Sequence, residues 1–562
     1  MANDKRLTLV LLWHMHQPQF RDPRSGEFSH PWVYLHALKD YSDMAAHLEA
    51  HRGVRAVVNL VPVLLDQLED YAEQCESGKI RDRLLRALAR EDLDRLGPED
   101  RNFLLDQCFR ANHTKMIEPF APFKRLRDLY QYARAQGGDP SRYLSGQYFA
   151  DLVTWYHLVW TGETVRRAHE PVVRLMSRGE AFTHAERMEL FQLIGVTLRG
   201  VVDRYRRLAQ SGQVELSSTP HYHPIGPLLL DFACARETMP EAPLPAAPAY
   251  PGGRMRTCWH LRRAVESHRA RFGAEPAGIW PAEGALSMPF ARLLAEQGVR
   301  WVASGEGVLA NSLVRSGLPT DQRDRYLYRP YRLEGGPACF FRDERLSDLI
   351  GFEYKGWHGA DAAGHFIAQL EQILEQAPAG EEPVVSVILD GENAWEYYPY
   401  NAYYFLHYLY AALEAHPRIR TATCSEVLAR DSALPTLPQL AAGSWVHGNL
   451  SVWIGSPDKN RAWDLLAMVK QSYDLVTASG RLSAEEAEAV SRQLAVCEGS
   501  DWFWWFGDYN PRESVEVFDR LFRANLVRLY ELLKLTPPRE LAERVSLGAV
   551  DARTTGAMRR AA

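Results

Sequence analysis

The feature that most constrains the fold is a series of short β-rich runs, the first of them nearly all apolar, that are separated by helical patterns. The runs lie at Leu7–Trp13, Val54–Leu60, Val214–Thr219, Gly278–Trp280, Arg300–Ser304 and Val384–Leu389. A run without polar alternation is typical of a strand that is covered on both faces, as in a parallel sheet. Helical spacing follows at Pro289–Gln297 and His365–Gln376. We therefore predict an α/β fold, and we expect a TIM-like barrel because polar residues cluster just after several strands.

Two regions depart from this alternation, and the chain of 562 residues is too long for one ordinary domain. Residues 66–210 have helix-like sequence, which we interpret as a helical insertion between two barrel strands. After about residue 435, helices are predicted at Arg461–Ser479, Ser483–Val496 and Arg512–Leu535. We predict a catalytic barrel at 1–435, a C-terminal helical domain at 436–545 and a flexible tail at 546–562.

Two further segments leave alternatives open. Residues 231–256 contain five prolines without periodicity, which fits a long ordered loop, a lid or a plain surface loop. The aromatic cluster Trp502–Phe506 fits an interdomain core better than the border of a pocket.

Composition narrows the classes of function. The net charge of -6 and the absence of a basic stripe argue against nucleic-acid binding. No stretch approaches the ~18 apolar residues of a membrane span, and Leu7–Trp13 lacks the small-residue cleavage site of a signal peptide. The seven cysteines form no CxxC pair, so neither a zinc knuckle nor a disulfide framework is indicated. We expect a cytoplasmic protein without membrane or nucleic-acid partners.

Two carboxylates follow predicted strands and suggest catalysis. Glu283 follows Gly278–Trp280, and Asp390 ends the run Val384–Leu389. In a barrel, a carboxylate at the C-terminal end of a strand faces the mouth of the active site. Each residue taken singly could instead form a turn or cap a helix. Together they supply what glycoside hydrolysis requires, a carboxyl group to protonate the leaving oxygen and another to stabilise or trap the sugar cation.

Histidines follow the first and third apolar runs at a spacing that places their side chains on one side. His14 and His16 follow the first run, and His221 and His223 follow the third. They could bind a metal, donate hydrogen bonds to a polar substrate or be satisfied structural histidines. Glu215 lies within the third run, where a carboxylate is costly unless it is paired or faces the surface.

Five sequence blocks, in this order along the chain, resemble the motifs of glycoside hydrolase family 57. The blocks are His16–Pro18, Gly212–Glu215, Trp280–Glu283, Leu389–Asn393 and Ser444–Asn449, the last continuing through Trp453–Gly455. The resemblance spans nearly the whole chain. Phe341–Asp348 and Gly391–Glu396 are similar to the amylopullulanase and α-amylase branch.

The resemblance implies an incomplete (β/α)7 barrel, a following helical domain and a retaining mechanism on α-glucans without a cofactor or an essential metal. By motif position, Glu283 matches the nucleophile and Asp390 the acid/base, while Trp280 and Trp395 look like platforms for sugar rings. Arg342 and Asp343 fit sugar hydroxyls or a surface ion pair. The candidate substrate-binding residues are His14, His16, Gln17, Glu215, His221, His223, Trp280, Arg342, Asp343, Asp348, Glu392, Asn393, Trp395, Trp445 and Trp453.

Three alternatives remain open at this stage. A 4-α-glucanotransferase or branching enzyme would use the same carboxylates with a sugar acceptor. A mannosidase or deacetylase would hold a divalent metal with His14, His16, His221 and His223. A glycan-binding protein with a decayed site is disfavoured by the intact carboxylate pair.

Overall fold

The computed structural model describes residues 5–430 and 433–549. Its strands are numbered in chain order: β1 Leu7–Met15, β2 Ala56–Leu60, β3 Val214–Ser217, β4 Gly278–Ile279, β5 Trp301–Gly305, β6 Tyr331–Leu333, β7 Ala338–Arg342, β8 Val384–Asp390, β9 Ile419–Thr421 and β10 Thr436–Leu437. Strands β1, β2, β3, β4, β5, β7 and β8 are parallel neighbours around a ring. A bridge between Ser218 and Ile279 joins β3 to β4, with Trp280 N–H donating to Ser218 O at 2.9 Å. The predicted α/β barrel is thereby confirmed.

The helices divide into three groups, also numbered in chain order. Those up to β3 are α1 Trp32–His36, α2 Ser42–Ala50, α3 Pro62–Ser77, α4 Arg83–Ala89, α5 Pro98–Cys108, α6 Ala121–Ala135, α7 Gly146–Val159, α8 Glu163–Ala168, α9 Glu170–Arg178 and α10 His184–Gln210. Those between β3 and β10 are α11 Gly226–Leu230, α12 Gly253–Phe272, α13 Met288–Glu296, α14 Glu306–Arg315, α15 Arg323–Leu327, α16 Glu344–Asp348, α17 Gly359–Gln376, α18 Tyr403–Ala415 and α19 Cys424–Arg430. The C-terminal group is α20 Pro457–Ala478, α21 Ala484–Cys497, α22 Asp501–Trp505 and α23 Arg512–Leu532.

The alternation of side chains along the strands places polar residues at one end of the barrel interior, and this pattern can be read from the sequence. Val10, Leu12, Val57, Phe340 and Ile388 belong to one buried apolar cluster inside the ring. Side chains two residues apart on a strand point to the same face. The next inward position therefore holds a polar residue on four strands: His14 after Leu12, Asn59 after Val57, Arg342 after Phe340 and Asp390 after Ile388.

The opposite end of the barrel is closed by β9 and α19, and Glu215 belongs there. The Glu215 carboxylate accepts hydrogen bonds from Trp301 Nε1 at 2.7 Å and from the Ser425 backbone N–H at 2.9 Å. Ser425 lies in the first turn of α19, where a carboxylate satisfies free N–H groups and the helix dipole. The prediction that Glu215 binds the sugar needs correction. Glu215 lies on β3 below the layer of polar residues, and its oxygens accept hydrogen bonds from groups at the opposite end of the barrel.

The segment 231–256 is ordered and is anchored to the C-terminal helices. Ala247 N–H donates to Asp464 at 2.8 Å, and the Tyr250 hydroxyl donates to the buried Glu498. This favours the ordered loop over a lid. At the chain end, Ala549 exchanges backbone hydrogen bonds of 3.0 Å with Asn510 and Arg512, so residues 546–549 pack on the helical domain and do not begin the predicted tail. Residues 550–562 lie outside the described part.

A buried ion pair joins the barrel to the helical domain. Glu498 accepts hydrogen bonds from Arg256 Nε at 2.8 Å and from His260 Nε2 at 2.8 Å, and all three side chains are buried. The positive charge of Arg256 and the His260 hydrogen bond outweigh the cost of burial and lower the pKa of Glu498 to about 2. The ionised form is thus stabilised by the fold.

We predict that Glu498→Ala lowers the free energy of unfolding by about 3–5 kcal/mol, because Arg256 would stay buried without its counter-charge. Glu485→Ala, which changes an exposed carboxylate in the first turn of the neighbouring helix α21, should cost less than about 1 kcal/mol. Urea denaturation of both variants at neutral pH makes the comparison. Since the folded-state pKa of Glu498 is depressed, its contribution is complete above about pH 4.5 and is lost as the pH falls towards 2. Equal losses in the two variants would contradict the interdomain role.

Candidate active site

Glu283 and Asp390 line the same cavity at the C-terminal end of the barrel, and its volume is about 990 Å³. The barrel supplies the floor. The segment 109–113 of the helical insertion and residues Asp501, Trp504, Trp505 and 510–514 of the C-terminal domain supply the walls. All three parts of the chain therefore contribute to one site.

Glu283 occupies a strained backbone position. Its φ is 58° and its ψ is 23°, the left-handed region that residues with a side chain rarely adopt. Trp445 holds it there, because the Trp445 N–H donates to Glu283 O at 3.1 Å and its Nε1–H donates to Glu283 Oε2 at 3.0 Å. Strain of this kind persists where the surroundings fix it, and it is frequent in active sites.

Asp390 ends β8 and is held by neighbouring polar groups. Asn393 Nδ2 donates to Asp390 Oδ2 at 2.9 Å, and Gly391 N–H donates to His14 O at 2.6 Å. Arg342 lies in the same cavity, donating to Ile388 O at 2.8 Å and to Asp348 at 2.9 Å. Asn393 thus positions the aspartate, and Arg342, which is held by Asp348, balances its charge.

Burial raises the pKa of both carboxyl groups. It raises the pKa of Glu283 to about 8, with the negative charges of Asp390 and Asp501 adding to the effect and the Trp445 hydrogen bond opposing it. Burial also raises the pKa of Asp390, which the Asn393 hydrogen bond and the charges of His16 and Arg342 partly offset. Two such groups titrate as a pair, which keeps at least one proton at neutral pH. A carboxyl pair that retains a proton can supply both an acid and a base.

Three histidine rings form a stack beside Glu283. The ring centroids of His16 and His223 are 3.9 Å apart with an interplanar angle of 15°, and His14 lies 5.4 Å from His223. His14 Nδ1 lies 2.7 Å from Asn59 Oδ1. Asn59 Nδ2 donates to Ser217, which fixes the orientation of the amide, so Asn59 Oδ1 accepts a hydrogen bond from the Nδ1–H of His14. The His14 Nε2 is therefore left as an acceptor. Burial lowers the pKa of His14 to about 3 and lowers that of His223 well below its ordinary value, so both rings are neutral.

The C-terminal domain reaches into this stack. His16 Nε2 lies 2.9 Å from Asp501 Oδ1, and His223 Nδ1 lies 2.8 Å from Ser500 Oγ. His16 Nδ1 and His223 Nε2 are buried and have no hydrogen-bond partner within the described residues. Imidazole nitrogens in this state can bond to sugar hydroxyl groups.

The histidines are poorly arranged for a metal ion. Ligand atoms of His16, His223 and Asp501 lie within 4.8 Å of one another. However, the nitrogen lone pairs of an imidazole lie in the ring plane, and the two planes are nearly parallel and stacked, so they do not converge on one point. His221 is turned away to Asp66, at 2.9 Å, so the four histidines are not brought together.

Several predicted binding residues have supporting positions instead. Trp280 is fully buried against Trp445, with centroids 5.1 Å apart, and Trp395 is buried against Trp13 at 5.8 Å. Neither can serve as a sugar platform, because no ring face is free. Trp453 is buried beneath Trp504 and does not line the cavity. Asp343 caps α16 through Leu346 N–H at 2.8 Å and likewise lies outside the cavity.

Gln17, Glu392 and Asn393 line the cavity, as do His14, His16, Arg342 and Trp445. Among the described residues, Glu392 Oε2 is buried without a hydrogen-bond partner, and burial raises the pKa of Glu392 well above its usual value. Sequence reasoning missed Asp501, Trp504 and Trp505. Within the cluster Trp502–Phe506, the interdomain-core interpretation fits Trp502, Phe503 and Phe506, which are buried, whereas Trp504 and Trp505 face the cavity.

The sequence profile of glycosyl hydrolase family 57 matches residues 10–437 of the chain. The chain belongs to glycosyl hydrolase family 57. It is therefore an enzyme of the glycosyl hydrolase class, and its cavity is the expected place for the chemistry. No protein of curated function matches it in sequence. Within residues 5–430 and 433–549, no helix is both long and apolar enough to cross a membrane.

Solved structures share the fold of this family-57 enzyme. A branching enzyme from Thermococcus kodakaraensis has a TM-score of 0.59 and 16% identity over 94% of this chain and 90% of its own. The α-amylase AmyC from Thermotoga maritima has a TM-score of 0.57 and 14% identity over 94% and 93%. A 4-α-glucanotransferase from Thermococcus litoralis has a TM-score of 0.53 and 14% identity over 95% of this chain and 61% of its own. At these identities the likeness establishes the fold.

We predict that Trp445→Phe moves the acidic limb of the kcat/KM profile to higher pH by about one unit, because the substitution removes a hydrogen bond to the charged form of Glu283. The ionised fraction of Glu283 falls at neutral pH, so activity falls there and recovers in more alkaline buffer. The measurement is kcat/KM against pH.

Trp453→Phe is the matched control, since Trp453 is buried, has no side-chain hydrogen bond within the described residues and does not line the cavity. Its pH profile should coincide with that of the unmodified enzyme. A uniform loss of activity in Trp445→Phe, without a displaced limb, would contradict a role for Trp445 in setting the pKa of Glu283.

Proposed function

We propose that this enzyme cleaves the glucosidic bonds of α-glucans with retention of anomeric configuration. The observation that carries the proposal is the buried carboxyl pair, Glu283 and Asp390, which separate strands deliver to one cavity. Retaining glycosidases place such a pair about 5–5.5 Å apart. The α-amylase, branching enzyme and 4-α-glucanotransferase that share the fold support α-glucans as the substrate class.

The reaction proceeds in two displacements. Asp390 gives its proton to the glycosidic oxygen while the Glu283 carboxylate attacks the anomeric carbon, so the leaving sugar departs and an ester forms on Glu283. Asp390, now ionised, removes a proton from water, which attacks the same carbon and releases Glu283. Trp445 stabilises the carboxylate form of Glu283 in both steps, and His14 and His16 offer nitrogens to the sugar hydroxyls.

We assign the enzyme to the amylopullulanase and α-amylase branch, with α-1,4 bonds and also α-1,6 bonds as targets. Two sequence blocks support this assignment, Phe341–Asp348 and Gly391–Glu396. Within them, Arg342 and Asn393 bracket Asp390 in the cavity.

Transfer to a sugar acceptor is the second candidate, and one contact favours it. Arg110 Nη2 lies 3.0 Å from Glu513 Oε2, linking the helical insertion to the C-terminal domain, and both residues line the cavity. This contact joins two walls of the cavity, where a glucan acceptor can be held beside the sugar ester, and a held hydroxyl has an advantage over water in the second displacement.

We predict that pullulan, amylose and maltooligosaccharides are all shortened, with reducing ends that first appear as the α-anomer. Glu283→Gln should reduce turnover by a factor of more than about 10³, since the attacking group is lost. The measurement combines chromatography of products with NMR of the fresh anomer.

Longer maltooligosaccharides without new reducing ends would move the assignment to transfer. Products that first appear as the β-anomer, or full activity in Glu283→Gln, would contradict the retaining mechanism.

A further inference from the structure

Four exposed aromatic side chains lie together outside the cavity, and we call them the aromatic strip. Trp357 is 43% exposed, Tyr400 57%, Tyr404 37% and Tyr408 39%. The ring centroids of Tyr400 and Tyr404 are 5.5 Å apart, and those of Tyr404 and Tyr408 are 6.4 Å apart. Gly359 brings the Trp357 segment against this helix, since a Cβ there would lie 3.1 Å from the Cβ of Tyr404.

The aromatic strip continues from the wall of the catalytic cavity. Phe352 and Tyr397 both line the cavity. Trp357 and Tyr400 follow them by a few residues on the same two chain segments. Lys355 connects these segments, because its ammonium group lies 5.2 Å from the centre of the Tyr397 ring. A chain leaving the cavity along these segments would meet the strip.

The ring of Tyr404 is held in place by the helical insertion. Arg167 Nη2 donates to the Tyr404 hydroxyl at 3.1 Å, and its guanidinium lies 4.4 Å from the centre of the Tyr403 ring. Glu163 in turn accepts from Arg167 at 2.9 Å. Tyr404 is thus a fixed surface, which loses little rotamer freedom when a ligand binds.

The backbone before α18 is strained, and the strain directs Tyr400 outwards. Tyr400, Asn401 and Ala402 have φ values of 52°, 52° and 59°. A residue with a side chain in this region costs about 1–3 kcal/mol. The buried Asn401 amide offsets the cost by donating to Lys39 O at 3.2 Å and to Asp43 at 2.9 Å.

The chemistry of the aromatic strip suits a sugar polymer. Flat rings pack against the apolar faces of sugars, while phenol hydroxyl groups bond to sugar hydroxyls at the edges. The rings of Tyr404 and Tyr408 are within 24° of parallel and follow each other along one helix. A series of rings of this kind fits successive sugar units of one glucan chain.

We propose that the aromatic strip binds an α-glucan chain outside the catalytic cavity and directs long chains into it. The substrate class is taken from the proposed function, on which this inference rests. The effect of the aromatic strip should appear with polysaccharides, whose chains extend beyond the cavity, and not with short oligosaccharides held within it.

The test compares Tyr404→Ala/Tyr408→Ala with Tyr132→Ala/Tyr143→Ala, a control that removes two exposed tyrosines, 68% and 81% exposed, from the helical insertion. Stacking on two rings predicts a rise of about tenfold in the KM for amylose, which is about 1.4 kcal/mol. The KM for maltotetraose should stay unchanged. Tyr408→Ala alone keeps the Arg167 contact, so it reports on the aromatic strip if the double variant folds poorly.

Electrophoresis in native gels that contain glycogen separates this inference from the proposed function. The unmodified enzyme and the control should be retarded, and Tyr404→Ala/Tyr408→Ala should not, whatever the activity of each. Retardation equal to that of the control, or a KM that rises equally for amylose and maltotetraose, would overturn the proposal. A change in sedimentation coefficient without a change in retardation would also overturn it, because the patch would then join two copies of the chain. If no α-glucan is cleaved at all, the proposed function fails, and the gel alone decides on the aromatic strip.

Discussion

The site depends on keeping two carboxyl groups together in a buried place where neither ionises easily. Burial costs each group its hydration, and the neighbouring negative charge adds to this cost at Glu283. The protein offsets the cost selectively. Trp445 donates one hydrogen bond to Glu283. Asp390 accepts a hydrogen bond from Asn393 and lies near the positive charge of Arg342. The two groups therefore titrate as a pair that keeps a proton at neutral pH, and catalysis uses the protonation state in which Asp390 holds it.

The barrel alone does not complete this environment. His16, directly after the first strand, bonds to Asp501, which lies 485 residues further along the chain in the C-terminal domain. Ser500 fixes His223 in the same way, and the buried pair of Glu498 and Arg256 holds that domain against the barrel. We infer that the interdomain ion pair also keeps the active-site contacts between the two domains in place. The exposed aromatic strip lies outside the cavity and takes no part in these contacts.

The sequence predicted the parts of the fold that have a strong local signal. The strands β1, β2 and β8 are continuous apolar runs, and alternation along them gives the inward positions of His14 and Asp390. The strand β7 was overlooked, although its residues Ala338–Phe341 are apolar. Glu215 was misplaced because alternation gives the face of a strand but not the height within the barrel. The Glu215 carboxylate accepts a hydrogen bond from helix α19, which is far from Glu215 in the sequence.

Aromatic residues were the hardest to place from sequence. Trp280 and Trp395 adjoin the catalytic carboxylates in sequence, yet both are buried supports, while Trp504 and Trp505 reach the cavity from the other domain. A large ring suits a core and a sugar equally well, so only tertiary packing decides. Asp501 gave no signal, because a single aspartate at the start of a short helix has the pattern of an ordinary cap.

The central claim is that Glu283 becomes covalently attached to the sugar. The most direct measurement is to inactivate the enzyme with a slowly released fluorinated α-glucosyl fluoride, digest it and locate the adduct by mass spectrometry. We expect a single glucosyl ester on the peptide that contains Glu283, and none on the peptide that contains Asp390. An ester on another carboxylate, or turnover of the reagent without any adduct and with inversion at the anomeric carbon, would contradict it.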